Sequence, residues 1–252
     1  MSGSERLAAM LRAGPLRWST LALSGREWRD GERFLKAFRR AIPDGGVTVS
    51  ATLSDPEHSN SAETEAPWRL WLSRPSRARA EFALGEEVLT VVVEGDQWWS
   101  WSPSLGPRTG ATGVQVGLGP GFLLADARRV LSRFDDYSVE GTTRVGGRDG
   151  VVLRMRPAAV GGDVDEGHAD EWPVVASDGV LSELGGGADD YELVVNTELG
   201  VLLRVEARLD AQPFRSCEVS ELTVDEPASM ELFTLSPADG KEFEVVRPHQ
   251  VH

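Results

Sequence analysis

The densest set of metal-capable side chains in the 252-residue chain is Asp163, Asp165, Glu166, His168, Asp170 and Glu171. Their oxygens would suit a hard cation, but the spacing fails a calcium loop: the glycine is out of place by one, and Val174 stands where the bidentate acid belongs. A solvated acidic segment explains them better. Gly117, Gly119 and Gly121 lack the preceding strand that a dinucleotide site needs. There is no Gly-x-Ser-x-Gly elbow, no phosphate loop ending in Gly-Lys-Ser/Thr and no His-Glu-x-x-His. Four histidines are present, His249 and His252 close to the end, so an enzyme of unrecognised type would have to rest on His58 or His168. Cys217 stands alone, which excludes an intramolecular disulfide and gives no thiolate metal site. No catalytic residue, metal site or cofactor is therefore assigned.

The chemistry the sequence does state is apolar. Thr90-Val91-Val92-Val93-Glu94 meets a Gly95-Asp96 turn and returns through Gln97-Trp98-Trp99-Ser100-Trp101. With a two-residue loop, Val93 lies opposite Trp98 and Val92 opposite Trp99, while Thr90, Val92, Trp99 and Trp101 share a face. Both faces then carry large apolar groups, so each must be covered: the core on one side, and a helix, a partner or a ligand on the other. Trp71, Phe82, Trp99, Trp101, Phe122 and Leu124 are the candidate lining of an apolar site; the alternative is that these side chains are core.

Those residues need elements to position them. Leu7, Met10 and Leu11 behind Ser4 predict a short helix over 4–12, stopped by Gly14-Pro15. Alternation over 18–28 predicts a strand, and Phe34, Ala37, Phe38 and Ala41 form one stripe of a helix over 32–41. Residues 47–53 read as a strand and the polar run 54–61 as a loop. Strand character returns at 68–72, is interrupted by Pro75 and resumes over 77–82. Residues 102–120 read as a long loop rich in Gly, Pro and Thr. A helix over 121–131 follows, with Leu124, Ala127, Val130 and Leu131 on its apolar stripe. The second half is a meander, with strands at 137–145 and 150–155 around Gly146-Gly147, then 191–196, 201–209 and 214–224, and a short closing element at 231–235. An acidic, Gly-rich interval at 158–188 divides it. In the 201–209 strand Val201, Leu203, Val205, Ala207 and Leu209 oppose Arg204, Glu206 and Arg208, as in a sheet covered on one side.

Composition bounds the partners. Hydrophobic residues are 40% and charged residues 26% of the chain, which is ordinary for a globular domain with a proper core. A formal net charge of −14 repels phosphate backbones and anionic membrane surfaces, so nucleic acid is excluded as a partner despite the local Arg74, Arg77 and Arg79. No stretch reaches the length of a transmembrane helix. The first residues, Met-Ser-Gly-Ser-Glu-Arg-Leu, show no apolar signal region, and together with the lone cysteine they predict a cytoplasmic location, the alternative being an extracytoplasmic one for a sequence trimmed of its signal.

The expected fold is α+β, mainly β: a strongly curved antiparallel sheet forming an incomplete barrel, with helices packed on or plugging its concave face. The order of elements resembles a known superfamily. Trp71-Leu72-Ser73-Arg74-Pro75-Ser76-Arg77-Ala78-Arg79 precedes the Val91 to Trp101 hairpin, Phe122-Leu123-Leu124 opens a helix, and Tyr191 to Arg204 comes near the end. This arrangement is similar to the LolA-type lipoprotein carriers, above all their actinobacterial members and the RseB-like regulators, over roughly residues 16–238. The resemblance implies one domain spanning 1–252, with the interval at 158–188 as an insertion. It also implies a non-enzymatic protein whose half-barrel accepts an acyl chain or another apolar small molecule. In the alternative that the barrel is filled, it implies a module that binds a protein partner.

Overall fold

The computed structural model describes Leu7 and residues 17–41, 63–111, 118–131, 137–156, 187–236 and 241–246. Its strands are β1 (Thr20–Asp30), β2 (Glu63–Ser73), β3 (Arg77–Leu84), β4 (Glu87–Glu94), β5 (Gln97–Ser102), β6 (Gly106–Ala111), β7 (Tyr137–Val145), β8 (Arg148–Met155), β9 (Asp190–Asn196), β10 (Val201–Leu209), β11 (Gln212–Val224) and β12 (Glu244–Val245). The helices are α1 (Gly31–Ala41), α2 (Gly119–Ala125) and α3 (Ala127–Leu131), with a 3-10 turn at Met230–Phe233. All twelve strands form one sheet in the order β12-β6-β5-β4-β3-β2-β1-β11-β10-β9-β8-β7. Its edges, β12 and β7, do not meet, so the barrel is incomplete, as expected. Every pairing is antiparallel except the short β12 against β6.

The hairpin at the centre of the sequence argument has the expected register. Val93 faces Trp98, Val92 faces Trp99 and Thr90 faces Trp101, and Gly95 takes a positive φ of 57° that suits a tight two-residue turn. Gly146-Gly147 turns β7 into β8 in the same way.

Two expectations are corrected. The reading of 102–120 as loop missed β6, whose sequence Gly-Pro-Arg-Thr-Gly-Ala has no apolar alternation. It is a strand because Trp98 packs over Gly110, and because Thr109 Oγ1 donates to the Trp98 carbonyl at 2.8 Å. The helix expected over 121–131 is two helices, since Asp126 is extended and the Ala127 amide donates to the Gly200 carbonyl at 2.9 Å rather than continuing the helical ladder. The elements expected at 47–53 and 54–61 lie outside the described residues, as do the acidic cluster, all four histidines and, except Leu7, the helix expected at 4–12.

Strand alternation divides the sheet into two faces. The inner, concave face carries Leu21 and Leu23 of β1, Trp68, Leu70 and Leu72 of β2, Ala78, Ala80 and Phe82 of β3, and Val91 and Val93 of β4. All of these are buried except Phe82, which is half-buried. Helix α1 lies on the same face at the β1–β11 side, where Phe34 packs against Phe214 and Phe38. Asp30 caps α1 by accepting from the Arg33 amide at 3.0 Å. Lys36–Asp210 and Arg40–Asp189 ion pairs tie its outer side down.

Candidate functional site

Helix α2 is the central element of the concave face. Its sequence, Gly-Pro-Gly-Phe-Leu-Leu-Ala, contains no charge, every residue from Pro120 to Ala125 is buried, and no side chain caps its start. It packs against β1, β2, β3 and β10. Two close approaches seat it. A Cβ on Gly121 would stand 2.6 Å from the Trp68 ring, and one on Gly119, at φ +67°, would stand 2.5 Å from the Phe82 ring. The indole of Trp68 is thus clamped between α2 and Gly25 of β1, where a Cβ would come within 2.3 Å of it.

The floor beneath α2 changes character along β1. Leu21, Leu23 and Gly25 are followed on the same face by Glu27 and Arg29, and β11 places Cys217 and Arg215 opposite them. Glu27 Oε1 accepts from Arg215 Nε at 2.7 Å and from Arg29 Nη2 at 3.1 Å. Burial pushes the Glu27 carboxyl up, but the two guanidiniums outweigh it and hold its pKa below the usual carboxylate range. Burial raises the neighbouring Tyr191 phenol to about 12, partly offset by Arg215. It also drives the Cys217 thiol far up, aided by the Glu27 charge. Cys217 should therefore resist a thiol reagent such as DTNB at pH 8 and react fully in denaturant; rapid native labelling would show that this interior opens.

The sheet register places the six sequence candidates on two different surfaces. Phe82, Phe122 and Leu124 meet on the concave side around α2. Trp71, Trp99 and Trp101 are half-buried on the convex side, in rows that run Trp71–Arg79–Val92–Trp99 and Arg69–Glu81–Thr90–Trp101 across β2 to β5. The second cover that the hairpin required is a strap of the chain itself. After β11, the 3-10 turn packs on β3 and β4, and Val92 and Phe233 are buried outside the main core. Arg79 Nη1 donates to the Leu232 carbonyl at 3.1 Å, and Asp225 accepts from the amide and hydroxyl of Ser19 at 2.7 and 2.8 Å. Arg79→Gln should loosen the strap by about 1 kcal/mol, read as faster proteolytic nicking within 226–236 without loss of the sheet's circular dichroism.

Sequence reasoning missed Trp68, Glu27 and Arg29. Trp68 could have been found by parity, since it alternates with Leu70 and Leu72 and stands three positions from Trp71, on the opposite face of the strand. Among the described residues no group of three or more His, Cys, Asp or Glu could hold a metal ion, and no helix is long and apolar enough to cross a membrane.

No family model matches the chain, and no curated protein matches it. Solved structures do. An uncharacterized conserved protein from Thermus thermophilus superposes with a TM-score of 0.50 at 11% identity, covering 98% of this chain and 100% of that one. MucB of Pseudomonas aeruginosa, in its complex with MucA, matches with a TM-score of 0.46 at 13% identity over 92% of this chain and 59% of that chain. A LolA superfamily protein of Nitrosomonas europaea matches with a TM-score of 0.32 at 10% identity over 92% and 97%. At such identities the likeness is one of fold. What the chain shares with the Thermus thermophilus protein is therefore its fold, here an open and almost wholly antiparallel sheet with its helices on the concave side.

Proposed function

We propose that this chain is a non-enzymatic binding protein that takes an acyl chain or another apolar ligand on the concave face, where α2 now lies. The observation that carries the reading is α2 itself. A seven-residue helix is too short to be stable alone, and this one is held by apolar contact with a floor of Leu21, Leu23, Leu70, Leu72, Ala78 and Ala80. A hydrocarbon chain offers that floor the same kind of contact, at about 25 cal/mol per Å² of apolar surface removed from water. Helix α2 then acts as a plug that a ligand displaces or lies beside.

The test is titration with a fluorescent fatty acid such as cis-parinarate, together with native mass spectra of the protein before and after solvent extraction. Saturable one-to-one uptake supports the reading, and uptake should survive Trp101→Asp because Trp101 is on the other face. No uptake and no released lipid would remove it.

A second reading, docking of a protein partner, is favoured by the convex side. Val88, Met230 and Val245 are 54%, 58% and 64% exposed, and all three lie on or beside the half of that face that carries Trp71, Trp99 and Trp101. The other half is a ladder of ion pairs, Arg204–Glu192–Arg208–Glu206. Loss of a co-purifying partner in Trp101→Asp, with fatty-acid uptake absent throughout, would select this second reading.

A further inference from the structure

We infer that Arg29 receives the anionic head of an amphiphile whose chain lies along the concave floor, which names the ligand class within the function proposed above and rests on that reading. The face of β1 that begins with Leu21 and Leu23 ends in Glu27 and Arg29, so an apolar run from Leu21 to Gly25 of roughly 13 Å, at about 3.3 Å per residue, leads directly to charge. At that end one carboxylate oxygen of Glu27 serves two guanidiniums, and Arg29 has the longer of the two bonds, 3.1 Å against 2.7 Å. Arg29 Nε is buried and meets no acceptor among the described residues.

The side chain is nevertheless reachable, being 32% exposed. It is also held in place, because its guanidinium lies 4.3 Å from the centroid of the Phe34 ring. A planar, fixed guanidinium with an unanswered donor, set at the end of an aliphatic floor, fits a carboxylate or phosphate monoester head. A charge-free lipid offers that donor only a weaker, neutral acceptor, and a cationic head is repelled by the guanidinium.

The experiment compares dodecanoate, dodecyl phosphate, methyl dodecanoate and inorganic phosphate by isothermal titration on the full chain and on Arg29→Gln. The two anionic amphiphiles should bind about ten-fold or more tighter than the methyl ester, and Arg29→Gln should bring all three chains to the ester's affinity. Equal binding of acid and ester to the unaltered protein overturns the assignment of Arg29 while leaving the apolar site standing. Inorganic phosphate binding as tightly as dodecyl phosphate also overturns it, by showing a free-anion site to which the chain adds nothing. If none of the three chains binds, the proposed function fails and this inference with it. Should Arg29→Gln not fold, the acid-to-ester comparison on the unaltered protein decides alone.

Discussion

Glu27→Ala is expected to cost about 3–5 kcal/mol of folding free energy, measured as a shift of the urea midpoint at pH 7. Removing one partner of a buried ion pair leaves the other charge desolvated and uncompensated, and that loss exceeds what the intact pair contributes. Here the carboxylate faces Arg215, whose side chain is only 11% exposed, and also Arg29. Glu27→Gln keeps the shape and one acceptor, so it should cost less. The pH dependence follows in sign. Because the folded-state pKa of Glu27 is depressed from 4.5, its contribution is fully present above that value and disappears as pH falls through the lower folded-state pKa. The unaltered protein should therefore lose stability on acidification below about pH 4.5, and Glu27→Gln should flatten that part of the curve. A Glu27→Ala protein as stable as its parent would mean that the cluster is solvated and the interior open at this end.

Gly25→Ala is the second large effect, about 3 kcal/mol or more, because the added methyl has nowhere to go. It would stand 2.1 Å from the Glu218 carbonyl oxygen and 2.3 Å from Cζ2 of Trp68. The first neighbour is backbone in the pairing of β1 with β11, so relief requires opening the sheet at its middle. The indole cannot yield either, since α2 presses on its other side through Gly121. Gly95→Ala is the fitting control: its Cβ would meet nothing within 4 Å, so only the left-handed conformation at φ 57° opposes it, at about 1–2 kcal/mol. A Gly25→Ala protein as stable as Gly95→Ala would show that Trp68 is not clamped as described.

Much of this was legible in the residues themselves. Gly95-Asp96 between β-branched and aromatic runs gave the hairpin and its register, and the alternation of Val201 to Leu209 marked a strand covered on one side. The same logic, carried one turn further, would have separated the candidate site residues. The Gly85-Glu86 turn pairs Phe82 with Leu89, which is out of phase with Val92 and hence with Trp99, so Phe82 and Trp99 cannot share a face. Other features had no local signal. β6 owes its strand to Trp98 and β5, and the break at Asp126 owes its position to a turn that comes 74 residues later at Gly200. The Arg26-Glu27-Trp28-Arg29 run reads as an ordinary polar strand end until Arg215, 188 residues from Glu27, arrives beside it.

Whether α2 is a plug that an apolar ligand displaces is decided by hydrogen–deuterium exchange with and without a saturating fatty acid. Amides of Gly119–Ala125 should exchange faster in the complex as the plug leaves, while those of β4 and β5 do not change. A one-to-one complex with faster exchange only in the strap at 226–236 would instead move the ligand to the convex face and rule out a concave site under α2.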